Sequence, residues 1–105
     1  MSAIFVYITV PAAFDARNLA ATLVTDRLAA CANILPGMKS IYHWEGKIEE
    51  AEETVVLLKT RDTLFPAVEA RVKELHPYET PCITALPVTA AHKPYLEWIL
   101  GETKP

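Results

Sequence analysis

The sequence predicts one α+β domain over residues 1–105, a sandwich of a single sheet and helices in the order βαββαβ, followed by a short helix. Three observations lead to this fold class. Apolar residues alternate as in strands in some segments and follow helical spacing in the segments between them. Proline or glycine stands at most of the joints. No linker, repeat or low-complexity tract divides the chain.

The first strand and the first helix are predicted near the N-terminal end. Residues 3–10 are apolar on both faces, which is typical of a central strand, and Pro11 ends the segment. Asp15 stands where an acidic side chain favours a helix N-terminus. Six apolar residues at helical spacing then predict the helix itself: Ala16, Leu19, Ala20, Leu23, Val24 and Leu28.

A long hairpin is predicted next. Residues 32–45 form a strand that is interrupted at Pro36-Gly37, where we expect a bend or bulge. Glu45-Gly46 is typical of a hairpin turn, and it leads to a third strand that ends with residues 54–59. The arms over residues 42–56 are longer than the other strands need. We expect the excess to project beyond the domain, where an exposed strand edge invites pairing with another chain.

The second half of the chain predicts two helices separated by a strand. Asp62 or Thr63 can cap the first of these helices, and Pro66 suits its first turn. Residues 82–88 form the fourth strand, and residues 94–100 a short last helix. The apolar face of the first of these helices consists of Phe65, Val68, Val72 and Leu75. The complete order is the ferredoxin-like, split βαβ arrangement with an extended hairpin between the second and third strands.

The composition narrows the possible functions. A net charge of −3 gives no support to nucleic-acid binding, which normally shows a basic patch. Two cysteines, Cys31 and Cys82, form neither a disulfide framework nor a zinc motif. The apolar run over residues 3–14 is too short to span a bilayer and lacks preceding basic residues, so we expect a cytoplasmic protein without a membrane anchor. A hydrophobic content of 51% is high for so small a chain, which again predicts burial against other subunits.

The segment over residues 76–81 reads as a stiff, extended connection. Pro77 and Pro81 fix their own φ and push the preceding residues out of helical geometry. His76, Tyr78 and Glu79 are therefore held in a defined spatial relation. The segment is either a structural joint between a helix and a strand or a binding loop on a rigid scaffold.

Six segments taken together resemble the divalent-cation tolerance (CutA) family over essentially the whole chain. Two of them are Ser40-Ile41-Tyr42-His43-Trp44-Glu45-Gly46-Lys47 and His76-Pro77-Tyr78-Glu79-Thr80-Pro81. The others are residues 28–37, 57–60, 86–88 and 95–99. The resemblance implies a ferredoxin-like fold, a tight homotrimer and a role in tolerance to metals, copper especially. It also implies kinship with the trimeric PII signalling proteins, which bind small effectors in clefts between subunits.

The candidate metal ligands are Cys31 and His76. A thiolate suits Cu(I), and an imidazole suits copper or zinc. The resemblance places His76 at a family position associated with metal. Some relatives have a second histidine beside it and a cysteine on the first strand. In this sequence those two positions are occupied by Leu75 and Ile8. One subunit therefore lacks a complete set, and weak, exposed or shared copper ligands are the expectation. Cys31 alternatively serves as a small buried hydrophobe.

A second set of residues suits an organic ligand. Lys59, Tyr78 and Glu79 are predicted to line a cleft between subunits, with Lys59 meeting a carboxylate or phosphate. Tyr42, Trp44 and Tyr95 are predicted to pack at the subunit interface, because aromatic residues anchor such contacts. The acidic run over residues 49–53 is expected to be a solvated strand flank.

The sequence offers no glycine-rich oxyanion loop, nucleophile elbow or phosphate loop, so we expect a protein that is not an enzyme. The predicted function is that of a cytoplasmic homotrimer in tolerance to divalent metal ions, with copper as the bound metal. A PII-like sensor of a small polar ligand is the alternative. A pure scaffold is the third possibility.

Overall fold

The computed structural model describes residues 2–105 and consists of four strands and three α-helices. In chain order these are β1 Ala3–Pro11, α1 Ala16–Thr25, β2 Cys31–Trp44, β3 Lys47–Arg61, α2 Phe65–Leu75, β4 Ile83–Pro87 and α3 Lys93–Gly101. A short 3-10 turn, Asp62–Leu64, leads into α2. The predicted α+β order βαββαβ with a third helix is confirmed. None of the helices in residues 2–105 is long and apolar enough to cross a membrane.

One sheet carries all four strands in the spatial order β2-β3-β1-β4, with every neighbouring pair antiparallel. The central strand β1 places Ile4, Val6, Ile8 and Val10 on one face, all of them buried. Helices α1 and α2 pack on this face and complete the main core with Leu19, Leu23, Val68 and Val72. Helix α3 lies against the opposite face, near the end of the sheet where the Lys59 ammonium group lies over the rings of Phe5 and Tyr95. Elsewhere on that second face Thr9 and Val55 are buried, whereas Leu35 and Leu86 are exposed.

The predicted hairpin is present and long. Strands β2 and β3 pair from Cys31↔Lys59 to Trp44↔Lys47, with a register shift between Leu35 and Met38 at the predicted interruption. Both central residues of the turn, Glu45 and Gly46, have positive φ, as a type I′ turn requires. The ribbon beyond the domain gives the molecule its longest dimension, 44 Å against 25 and 22 Å.

Two local predictions need correction. The N-cap of α2 is Leu64, with no side-chain hydrogen bond, rather than Asp62 or Thr63. The Asp62 carboxylate instead accepts a hydrogen bond from the Ser2 hydroxyl at 2.9 Å, because the 3-10 turn places it beside the start of β1. Helix α1 ends at Thr25, short of Leu28, since Arg27 adopts a φ of 58°. Leu28 is nevertheless buried. Asp15 stands at the N-terminus of α1 as predicted, and its carboxylate caps the helix by accepting the N–H of Asn18.

Replacing Gly46 by Ala should lower the free energy of unfolding by about 1–2 kcal/mol, because a side chain at positive φ meets its own backbone. Gly46 has a φ of 77°, and open space surrounds the position of an added Cβ, so the cost is conformational rather than steric crowding. Urea unfolding measures the change. Gly101→Ala is the matched control, since Gly101 lies in ordinary helical space, also without neighbours. Equal effects of the two substitutions would contradict this explanation.

Candidate functional site

A pocket of about 490 Å³ lies between the hairpin and the loop that follows α2. Strand β2 contributes two aromatic residues to the lining, and strand β3 contributes one carboxylate. The loop contributes the other four residues. The lining consists of Tyr42, Trp44, Glu53, Pro77, Tyr78, Glu79 and Thr80. Two of the three predicted cleft residues, Tyr78 and Glu79, are therefore brought together. Tyr42 and Trp44, predicted to pack at an interface, line the same pocket.

His76 anchors the loop to the sheet. Its Nε2 lies 2.7 Å from the carbonyl oxygen of Thr9, and its Nδ1 accepts the backbone N–H of Tyr78 at 3.0 Å. Because Nδ1 accepts, Nε2 carries the proton and donates to Thr9. The ring is buried and stacks against Phe14 with centroids 6.2 Å apart. The prolines on either side of Tyr78 and this double hydrogen bond together explain why the loop has a defined shape.

Glu53 is the functional residue that the sequence interpretation missed. It belongs to the acidic run that was expected to be solvated, yet only 6% of it is exposed. One carboxylate oxygen accepts the Ser40 hydroxyl at 2.5 Å, and the other accepts the Tyr78 hydroxyl at 3.4 Å. Because Glu53 is the residue at which β3 enters the body of the domain, its neighbours in the chain give little indication of burial. Contacts from β2 and from the loop, through the Ser40 and Tyr78 hydroxyls, accompany this burial.

Burial and the adjacent Glu53 carboxylate raise the pKa of Tyr78 above its ordinary value of about 10. Burial is the larger cause. The Coulombic effect of the carboxylate follows, since a phenolate beside it would be a second negative charge, and the hydrogen bond adds to it by holding the neutral phenol. At neutral pH the hydroxyl is therefore a donor, and it is committed to Glu53.

In Glu53→Gln the pKa of Tyr78 should fall toward the ordinary value, because the negative neighbour is gone. NMR titration of the labelled tyrosine ring carbon measures it. In the unaltered protein the raised folded pKa stabilises the fold below pH 10, and this contribution is lost as the pH rises through the folded pKa. Glu52→Gln is the control: the next residue along the strand, Glu52, is exposed. An unchanged Tyr78 titration in Glu53→Gln would contradict the assignment.

Lys59 lies elsewhere, on the second face of the sheet. Its Nζ sits 5.4 Å from the ring centre of Tyr95 and 5.5 Å from that of Phe5. A hydrogen bond with Tyr95 raises the pKa of Lys59; burial opposes this rise, and Cys31, its partner across the strand pair, adds to it. Tyr95 thus packs within its own chain. Lys59 and Glu53 are six positions apart along β3, which is about 20 Å at the usual strand rise. One chain therefore does not place Lys59 in the pocket.

The candidate metal ligands do not converge within one chain. Cys31 is half-buried beside the Lys59 ammonium group, which disfavours a second cation. Both ring nitrogens of His76 are used in hydrogen bonds, so this side chain would have to leave Thr9 and Tyr78 to bind a metal. Within residues 2–105 no three His, Cys, Asp or Glu side chains are grouped to hold an ion. The residues of a single chain do not fit a copper site.

Comparison with known proteins gives a consistent family assignment. The family model described as CutA1 divalent ion tolerance protein matches residues 4–102. The divalent-cation tolerance protein CutA of Thermus thermophilus is 48% identical over 98 residues, covering 93% of this chain and 95% of that protein. The crystal structure of CutA1 from Oryza sativa superposes with a TM-score of 0.95 at 39% identity, covering 99% of this chain and 95% of that one.

A third relative is the CutA of Archaeoglobus fulgidus, described as a periplasmic divalent cation tolerance protein. Its structure superposes with a TM-score of 0.88 at 45% identity, covering 92% of this chain and 94% of that one. None of these names describes an enzyme. The fold and the matched residues agree over nearly the full length of the chain. The chain belongs to the CutA1 family of divalent ion tolerance proteins.

Proposed function

We propose that the protein acts as a homotrimer in the tolerance of divalent metal ions, by binding rather than by catalysis. The observation that carries the proposal is the exposed apolar surface on the second face of the sheet together with the projecting hairpin. Leu35 and Leu86 on this face are 49% and 44% exposed. At the hairpin, Ile41 and Trp44 are 68% and 58% exposed. A two-stranded ribbon is marginal in water by itself, so other subunits are the expected support.

Three is the number of subunits that the CutA resemblance implies. The second face of the sheet supplies an apolar surface that a neighbour can cover, and the ribbon supplies an arm that can reach across it. Sedimentation equilibrium at micromolar protein tests this proposal. We expect a single species of three times the chain mass, because interfaces of obligate oligomers are large and hydrophobic. A folded monomer at that concentration would contradict it.

We propose copper as the bound metal, at the level of the trimer only. Cys31 is the soft ligand that each chain offers, and the further ligands have to come from the assembly. Binding should weaken as the pH falls, because protons compete for a thiolate or imidazole ligand. A site with few protein ligands also holds metal less firmly than a closed tetrahedral cage.

Competition between the protein and a coloured Cu(I) chelator tests the copper proposal. Cys31→Ser should lose most of the bound copper, while the exposed second cysteine provides the matched control Cys82→Ser. Sedimentation of each variant separates loss of a ligand from loss of assembly. Equal copper binding by the protein and by Cys31→Ser trimers would remove Cys31 from the proposal.

A PII-like sensor of a small ligand is the second candidate. The pocket beside the hairpin favours it, because 490 Å³ lies in the range of small-molecule sites, about 300–1,000 Å³. The loop over residues 76–81 makes one wall of this pocket, and its hydrogen bonds hold that wall in place.

We propose a cytoplasmic location for either function, because the cytoplasm is a reducing compartment in which two unpaired cysteines are expected to stay reduced. Cell fractionation checks this location.

A further inference from the structure

The pocket carries negative charge and aromatic surface. Of the side chains that line it, Glu53 and Glu79 are carboxylates, and none is basic. Lys39 pairs with Glu52, and Lys47 pairs with Trp44 at the tip of the hairpin. Neither of these lysines lines the pocket. The negative charge of the pocket therefore disfavours an anionic ligand, which is the kind of ligand that Lys59 was predicted to bind.

Glu53 is the strongest single indication. Its carboxylate is buried and accepts two hydroxyl hydrogen bonds, from Ser40 and Tyr78. The ion pairs within residues 2–105 join Arg27 with Glu102 and Arg71 with Asp26 and Glu74, and none includes Glu53. A buried carboxylate without a cation is costly, because two neutral hydroxyl donors replace only part of its hydration. A cation in the pocket would supply the missing charge.

The aromatic residues point to the same kind of ligand. Ser40, Tyr42 and Trp44 alternate along β2 and therefore share one face of the ribbon, the face of the Glu53 contact. Tyr78 closes the opposite wall. Electron-rich faces of tyrosine and tryptophan attract organic cations, especially where water is partly excluded. A bare metal ion would be bound mainly by oxygen, nitrogen or sulfur ligands, so three aromatic rings would contribute little to its binding.

We propose that this pocket binds a small organic cation, a protonated amine or guanidinium group on a compact apolar body. Glu53 accepts hydrogen bonds from the charged head, the rings of Tyr42, Trp44 and Tyr78 surround the body, and Glu79 adds charge at the rim. The inference rests on the second candidate function and names its ligand class. It requires neither bound copper nor Lys59.

Calorimetry with three probes of matched shape tests the proposal: tyramine as the cation, 4-propylphenol as the neutral compound and 3-(4-hydroxyphenyl)propanoate as the anion. We expect heat of binding with tyramine and none with the other two at the same millimolar concentrations. 2-Phenylethylguanidine should bind as well, since it carries a guanidinium head on an apolar body of similar size. Tyramine binding should weaken with added salt, because attraction to the exposed Glu79 carboxylate is screened.

Three variants locate the site. Glu53→Gln keeps the shape and removes the charge, so tyramine affinity should fall about tenfold to a hundredfold. Glu79→Gln changes an exposed carboxylate and should cost about twofold to fivefold. Glu52→Gln removes an equal charge one residue along β3 and should leave the affinity unchanged. If Glu53→Gln fails to fold, the comparison of Glu79→Gln with Glu52→Gln still decides.

Several outcomes would overturn the proposal: no binding of any cationic probe, equal binding of tyramine and 4-propylphenol, tighter binding of the anion, or equal affinities in Glu79→Gln and Glu52→Gln. Displacement of tyramine by zinc at stoichiometric amounts would make the pocket a metal site instead. Sedimentation of the same samples reports assembly separately. A failure with intact trimers rejects the organic cation and leaves the proposed trimer in metal tolerance standing.

Discussion

Replacing Arg61 by Ala should lower the free energy of unfolding by about 2–4 kcal/mol, because buried acceptors lose a charged donor. Arg61 is buried at the end of β3. Its Nε donates to the Thr103 hydroxyl at 2.9 Å, and its Nη2 donates to the carbonyl oxygens of Leu100 and Thr103. This guanidinium holds the end of α3 and the following residues against the sheet. Urea unfolding at fixed protein concentration measures the loss.

Two further substitutions serve as controls for the Arg61→Ala experiment. Arg61→Lys keeps the charge but cannot reproduce the planar fork of donors, so it should recover only part of the stability. Arg17→Ala removes an exposed arginine from α1 and should change the stability by less than about 0.5 kcal/mol. An Arg61→Ala protein as stable as Arg17→Ala would show that these hydrogen bonds contribute nothing to the fold.

Replacing Trp44 by Glu should weaken assembly strongly, so that the proposed trimers dissociate at micromolar protein. The side chain is 58% exposed on the projecting ribbon of one chain, in the position expected to meet a neighbour. Burying an unpaired carboxylate at a packed contact costs about 3–5 kcal/mol, enough to shift the dissociation constant by more than a hundredfold. Analytical ultracentrifugation over a dilution series measures the change.

Trp44→Phe is the matched control, since it retains an aromatic ring without adding charge, and it should remain assembled. Ala21→Glu adds a carboxylate to the exposed surface of α1 and controls for net charge. Trp44 also lines the pocket, so the cation-binding experiments use the carboxylate variants instead. Unchanged association of Trp44→Glu would place Trp44 outside any subunit contact.

The sequence was sufficient for the order and type of the elements because each carries its own local signal. Residues 3–10 are apolar on both faces, as a central strand requires, and they form the strand β1 between β3 and β4. Glu45-Gly46 predicts a tight turn because glycine tolerates positive φ, and the turn is present. Asp15 caps α1 by accepting the N–H of Asn18, only three residues away.

Local sequence signals did not predict the position of a residue correctly where a distant segment of the chain also contacts that residue. Asp62 has the side chain of an N-cap, but the 3-10 turn directs it to Ser2, which is sixty residues away in sequence. Leu28 continues the apolar spacing of α1, yet the chain turns at Arg27 and buries Leu28 from outside the helix. The Leu28 carbonyl also accepts the Thr60 hydroxyl at 2.7 Å, so in both cases a contact from a distant segment outweighs a weak local preference.

The candidate site shows the same division. The sequence determined that Tyr78 and Glu79 are held on a stiff loop, because the two prolines act through the backbone of their immediate neighbours. Only the tertiary structure decided what faces them. Lys59 and Glu53 are only six positions apart on β3, yet Lys59 lies beside Tyr95 and Glu53 beside Tyr78, because the strand runs from one end of the domain to the other. The charge of a pocket depends on which strands meet there, and folding brings Glu53 to it and leaves Lys59 beside Tyr95.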